Sequence, residues 1–101
     1  MKGYKTFYQL TRFFRKRLPF THPVHFRRTS VSDGNDGECS FKGGRFIICV
    51  DKTLPEHHAI EVLIHETAHP LAWGKDKDIH GPNWGKAYSL VYRHFLEFND
   101  D

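Results

Sequence analysis

Histidine and glutamate recur at a chemically meaningful spacing in one place, His65-Glu66-Thr67-Ala68-His69. Residues four apart in an α-helix lie one above the other on the same face, so both imidazoles can point at a single metal ion. Glu66 sits about 100° around the helix from His65, beside such an ion rather than on it. A carboxylate there can hydrogen-bond a metal-bound water and take its proton, which makes Glu66 the candidate general base. With eight histidines in 101 residues, the motif has to be weighed against chance. A shuffle of this composition produces it with a probability of roughly 0.03; the bland alternative is two solvated helix histidines beside a surface glutamate.

A catalytic zinc takes three protein ligands and keeps one position for water. An extended HExxHxxGxxH pattern would need glycine and histidine where this chain has Ala72 and Lys75. The next histidine is His80, in Ile79-His80-Gly81-Pro82, and the glycines flanking its loop let the chain turn back over the helix end. His80 is the best third ligand, with an exposed loop histidine as the competing reading. His58 and Glu61 precede His65 on nearly the same helical face and are candidates either for orienting the ligands or for plain solvent exposure. Tyr88 could stabilise an oxyanion, although core packing suits it better. His22, His25, His57 and His94 have no recognisable partner.

These residues need elements to hold them. Over residues 2–18, Tyr4, Phe7, Leu10 or Thr11, Phe14 and Leu18 recur at three- and four-residue steps, the stripe of an amphipathic helix that Pro19 and Pro23 end. Residues 24–31 alternate partly as a strand, with Val24 and Phe26 on one face and His25 and Arg27 on the other. Residues 32–37, dense in turn formers, predict a hairpin loop, and residues 41–51 a returning strand whose centre, Phe46 to Val50, is apolar enough to be partly covered on both faces. Thr53-Leu54-Pro55-Glu56 predicts a capping box opening the second helix. Pro70 predicts that this helix ends or kinks near His69. After a polar loop over residues 74–81, Trp84, Ala87, Tyr88, Val91, Phe95 and Phe98 form the stripe of a last helix over about residues 83–98. The pattern is an α+β domain spanning residues 1–101, with an N-terminal helix on a short sheet, the HExxH helix and a closing C-terminal helix.

Composition narrows the class. Hydrophobic residues make up 39% and aromatic residues 15% of the chain, enough for one modest core. No run approaches the roughly 20 apolar residues needed to span a bilayer, and the basic start lacks a secretory apolar stretch, so no membrane association is expected and the cytoplasm is the default location. Cys39 and Cys49 form neither a CxxC hook nor a disulfide framework. The net charge is +3, and no acid precedes Asp33, whereas Lys2, Lys5, Arg12, Arg15, Lys16, Arg17, Arg27 and Arg28 all do. That asymmetry suits either a nucleic-acid contact or an ordinary solvated helix face.

The run from His65 to Trp73, followed by His80-Gly81-Pro82-Asn83-Trp84, resembles the SprT-like (Spartan-type) zinc metallopeptidases, whose signature is HExxH, a short variable loop and HG-P-x-aromatic. The resemblance covers about residues 45–88. It implies a zincin-like fold, Zn2+ held by His65, His69 and His80, Glu66 as general base, and hydrolysis of a protein or peptide substrate. It further implies that Phe46 to Val50 is an edge strand along which substrate pairs. Relatives often carry a cysteine-based zinc ribbon after this domain; this chain has the minimal form without it, so DNA targeting by that route is not expected. Pro70 also departs from the family pattern. The alternatives are a non-enzymatic zinc-stabilised module that binds nucleic acid through the basic N-terminal segment, or a protein-interaction module that keeps the shell without activity.

Overall fold

The computed structural model describes residues 6–32 and 34–100. The elements run α1 (Phe7–Arg17), β1 (Val24–Thr29), β2 (Gly37–Lys42), β3 (Arg45–Asp51), α2 (Glu56–Leu71) and α3 (Pro82–Asp100). The architecture is α+β, three helices with a three-stranded sheet. No helix among the described residues is long and apolar enough to cross a membrane.

α1 starts at Phe7 because Thr6 caps it: Gln9 N–H donates to Thr6 Oγ1 at 3.4 Å, and Thr6 N–H to Gln9 Oε1 at 2.6 Å. The expected helix began at residue 2; Tyr4 and the other residues before Thr6 lie outside the described residues. The rest of the stripe, Phe7, Leu10, Thr11, Phe14 and Leu18, is buried. α1 packs chiefly against α3 and α2 rather than on the sheet; Arg15 reaches β1 by lying 5.5 Å above the Phe26 ring.

The strand order is β1-β3-β2, with β1 parallel and β2 antiparallel to β3. Three expectations fail in this sheet. Gly43 and Gly44 adopt positive φ (61° and 77°) and make the tight turn of the only hairpin among the described residues, β2–β3. The described residues between β1 and β2 therefore lead from β1 to the far edge of the sheet, so the hairpin loop expected over 32–37 does not form. The strand expected over 41–51 is likewise broken at this turn, and β3 is central, hydrogen-bonded on both sides, rather than an edge. The edge beside α2 is β2.

One face of the sheet carries Val24, Phe26, Phe46, Ile48 and Val50, all buried beneath helical side chains that include Leu63, Ile64 and Ala68. Each large side chain in this cluster contributes about 1.5–3 kcal/mol relative to exposure. On the opposite face Ile47 and Cys49 are half-buried beside exposed His25 and Arg27.

The capping box expected at residues 53–56 is absent. Thr53 donates its hydroxyl to Asp51 Oδ1 at 2.6 Å, and Pro55 occupies the cap position. The Glu56 carboxylate is drawn elsewhere, accepting from Phe7 N–H at 3.4 Å and Arg28 Nη1 at 3.3 Å. Arg28 also donates to Leu54 O at 2.8 Å, so this cation joins β1 to the start of α2. α2 runs through Pro70 and ends at Leu71, near His69 as expected; Pro70 lies in the last turn and forfeits only the Glu66 carbonyl bond there.

Candidate metal centre

His65 and His69 project from one face of α2, as four-residue spacing dictates. Their rings lie 5.5 Å apart, and His80 comes to 5.1 Å from each. One donor atom from each of the three histidines falls within 4.8 Å of the others, and His65 Nε2 to His80 Nε2 is 3.2 Å.

His80 reaches this position through a loop that Asp76 organises. Asp76 Oδ1 accepts from Asn83 Nδ2 at 2.8 Å and Asn83 N–H at 3.3 Å, and Oδ2 accepts from Trp84 N–H at 3.1 Å. The two backbone N–H groups are orphan donors of the first turn of α3, which has no Ser, Thr or Asp immediately before Pro82. The same bonds hold the Asp76 carboxyl below the usual carboxylate range, the Asn83 side chain foremost. Gly81 lies so close that an added Cβ would stand 2.7 Å from Asp76 Cγ. Asp78 Oδ1 accepts from His80 N–H at 3.1 Å. Trp84, in the first turn of α3, then packs over all three imidazoles, with ring centroids 5.0, 5.8 and 4.9 Å from His65, His69 and His80.

Glu66 is 8% exposed, its Cγ lying against Gly37 of β2 and its Oε2 3.9 Å from His65 Nε2. Burial, reinforced by the nearby Glu38 charge, pushes its carboxyl up to about 7. Burial pulls His69 down to about 4, helped by His65 and His80, and lowers His65 for the same reason with His80 adding to it. Near neutral pH the two helix imidazoles are therefore neutral.

Several cavities border the site, three of which bear on its chemistry. One of about 360 Å³ contains His65, Glu66, His69 and His80, with Gly37, Glu38 and Cys39 as the β2 wall. A polar one of about 390 Å³, lined by Asp36, His58, Glu61 and Tyr88, opens on the other side of Glu66. An apolar one of about 590 Å³ begins beyond Trp73.

His58 and Glu61 thus face the polar cavity, and His58 Nε2 lies 3.3 Å from Asp36 Oδ2. Tyr88 packs at a tilt against Trp84, ring centroids 5.2 Å apart, while lining the same cavity. His22 bonds the Thr21 hydroxyl and meets Phe41 edge-on, and His94 bonds Leu90 O, so neither enters the cluster. His25 and His57 are exposed. The sequence pattern singled out neither Gly37 nor Asp76; Trp73 entered only as the end of the resembling run, and Cys39 only as a cysteine outside any metal or redox motif. An aspartate ahead of an uncapped helix was the available signal for Asp76; β2 placement, invisible without the register, was needed for Gly37 and Cys39. Burial and the Glu66 charge push the Cys39 thiol up to about 12, so it stays protonated.

No protein-family model, no curated protein and no solved structure matches this chain.

Proposed function

We propose that the chain is a zinc-dependent peptide hydrolase of the SprT-like kind, with His65, His69 and His80 holding the metal and Glu66 as general base. The observation that carries this reading is the convergence of three histidine donor atoms within 4.8 Å beside a buried carboxylate. Tetrahedral zinc with bonds of about 2.0–2.1 Å keeps its ligand nitrogens roughly 3.3 Å apart, close to the 3.2 Å between His65 and His80. Neutral imidazole is the ligating form, and burial favours it at His65 and His69.

When bound, zinc would supply Lewis acidity toward the scissile carbonyl and the attacking water. The chain itself contributes the rest. Glu66, buried beside the histidines, takes the proton of the attacking water and passes it to the leaving amine. The outer edge of β2, unpaired among the described residues, offers backbone groups to an extended substrate, which gives affinity with little sequence selectivity. Trp84 packs against the imidazoles on the α3 side.

The test is Glu66→Gln, assayed on an unfolded protein such as casein with zinc content measured alongside. Cleavage should fall by about 10²–10⁴-fold with zinc retained; undiminished cleavage would sink the proposal.

A zinc-braced nucleic-acid module is the second reading, favoured by the exposure of Arg12, Arg15 and Lys16 on α1. It requires Glu66→Gln to be silent and binding to fall steeply with salt.

A further inference from the structure

We propose that the apolar cavity behind Trp73 is a specificity pocket that seats a bulky apolar side chain of the substrate, within about four residues N-terminal to the cut bond, and prefers an acidic residue next to it. This rests on the peptidase reading above.

The cavity, about 590 Å³, lies within the range of roughly 300–1,000 Å³ of ligand-binding clefts. Its walls are Phe41, Phe46, Trp73, Pro70, Leu71 and Leu90. Phe41 stands 4.8 Å from Phe46, and Phe46 stands 5.4 Å from Trp73, as a continuous aromatic surface. Phe41 and Trp73 nevertheless keep 40% and 45% of their surface exposed, an apolar area that an incoming side chain would cover. Trp73 also lines the histidine cavity, so the two spaces border each other across its indole.

β2 supplies the ruler. Gly37 lies against Glu66 and Phe41 lines the apolar cavity, four residues or about 13 Å further along the same edge. A substrate strand antiparallel to β2 runs from the cavity toward Glu66, which puts the seated residue on the N-terminal side of the cut. Charge supplies the neighbour preference. Lys75 and Lys86 line the cavity with no Asp or Glu among its walls, whereas the cavity across Glu66 holds Asp36 and Glu61. The two ends of the cleft thus differ in sign.

The experiment digests a mixed peptide library with the zinc-loaded full chain and sequences the cut sites. Phe, Leu, Tyr or Trp should exceed Ala by roughly tenfold at one of the four positions before the cut. Trp73→Ala should erase that preference, and Lys75→Glu with Lys86→Glu should turn the neighbour preference from acidic to basic. Independently of cleavage, N-acetyl-Glu-Phe-amide should shift the NMR signals of Trp73 and Leu90, and N-acetyl-Lys-Ala-amide should not. Absent shifts, or cleavage without the apolar preference, overturn the pocket. Shifts without any cleavage overturn the peptidase reading alone and leave the pocket as a binding site for apolar, acidic peptides.

Discussion

Gly37 on β2 and Glu66 on α2 touch: a Cβ built on Gly37 would lie 3.1 Å from Glu66 Cγ, 3.1 Å from Cys49 O and 2.5 Å from Val62 Cγ1. The glycine is needed for close approach, not for a special backbone angle. That approach is what encloses the Glu66 carboxylate.

Gly37→Ala should therefore push β2 away from α2. Overpacking of this kind costs about 1–3 kcal/mol, which urea unfolding would register. With β2 displaced, water reaches Glu66, so peptide cleavage should fall more than zinc content does. Unchanged stability would mean that β2 does not lie where Gly37 puts it.

Glu66→Gln should also change the pH dependence of the metal-free fold. Its carboxyl, raised to about 7 from 4.5, opposes folding once it ionises. The penalty is absent below about pH 4.5 and complete above about pH 7, so the Gln variant should match wild type in acid. It should gain on the order of 2 kcal/mol at pH 8, after allowance for partial solvent access. A gain in acid instead would have the wrong sign.

The histidines act in the opposite direction. His69, lowered to about 4 from 6.5, favours the fold above pH 6.5, and that contribution is lost as pH falls toward 4. Thermal melts of metal-free protein should decline across this window, and His69→Phe should flatten the decline.

His80→Ala tests the metal site directly. Tag-free wild type should hold one zinc per chain and the variant little or none under the same dialysis. Equal zinc in both would remove His80 from the site; none in either would return the motif to coincidence.

Asp76→Ala should weaken zinc binding by about 10–100-fold without touching a ligand, because the start of α3 and the His80 loop lose their anchor. Asp76→Asn keeps an acceptor and should recover part of the loss. Competition with a chelator reads both.

The helical positions were legible because their cause is local. That His65 and His69 share a face follows from the pitch of any α-helix, and the stripes Phe7, Leu10, Phe14 and Ala87, Val91 declare the buried side of α1 and α3 by the same period. The Gly43-Gly44 turn was also legible in principle, since paired glycines mark tight hairpins.

The remainder was decided between residues far apart in the chain. Thr53 and Glu56 had the right spacing for a cap, but Arg28 and the Phe7 N–H, brought in by β1 and α1, took the Glu56 carboxylate. β3 looked like an edge until the register put β1 and β2 on either side of it. The Glu66 environment depends on Gly37, the His80 approach on Asp76, and the apolar cavity on Phe41 meeting Trp73. Spacing along one helix is set by backbone geometry and can be read from a single segment. Pairing and enclosure depend on which distant surfaces compete for the same partner, and only the assembled tertiary structure resolves that competition.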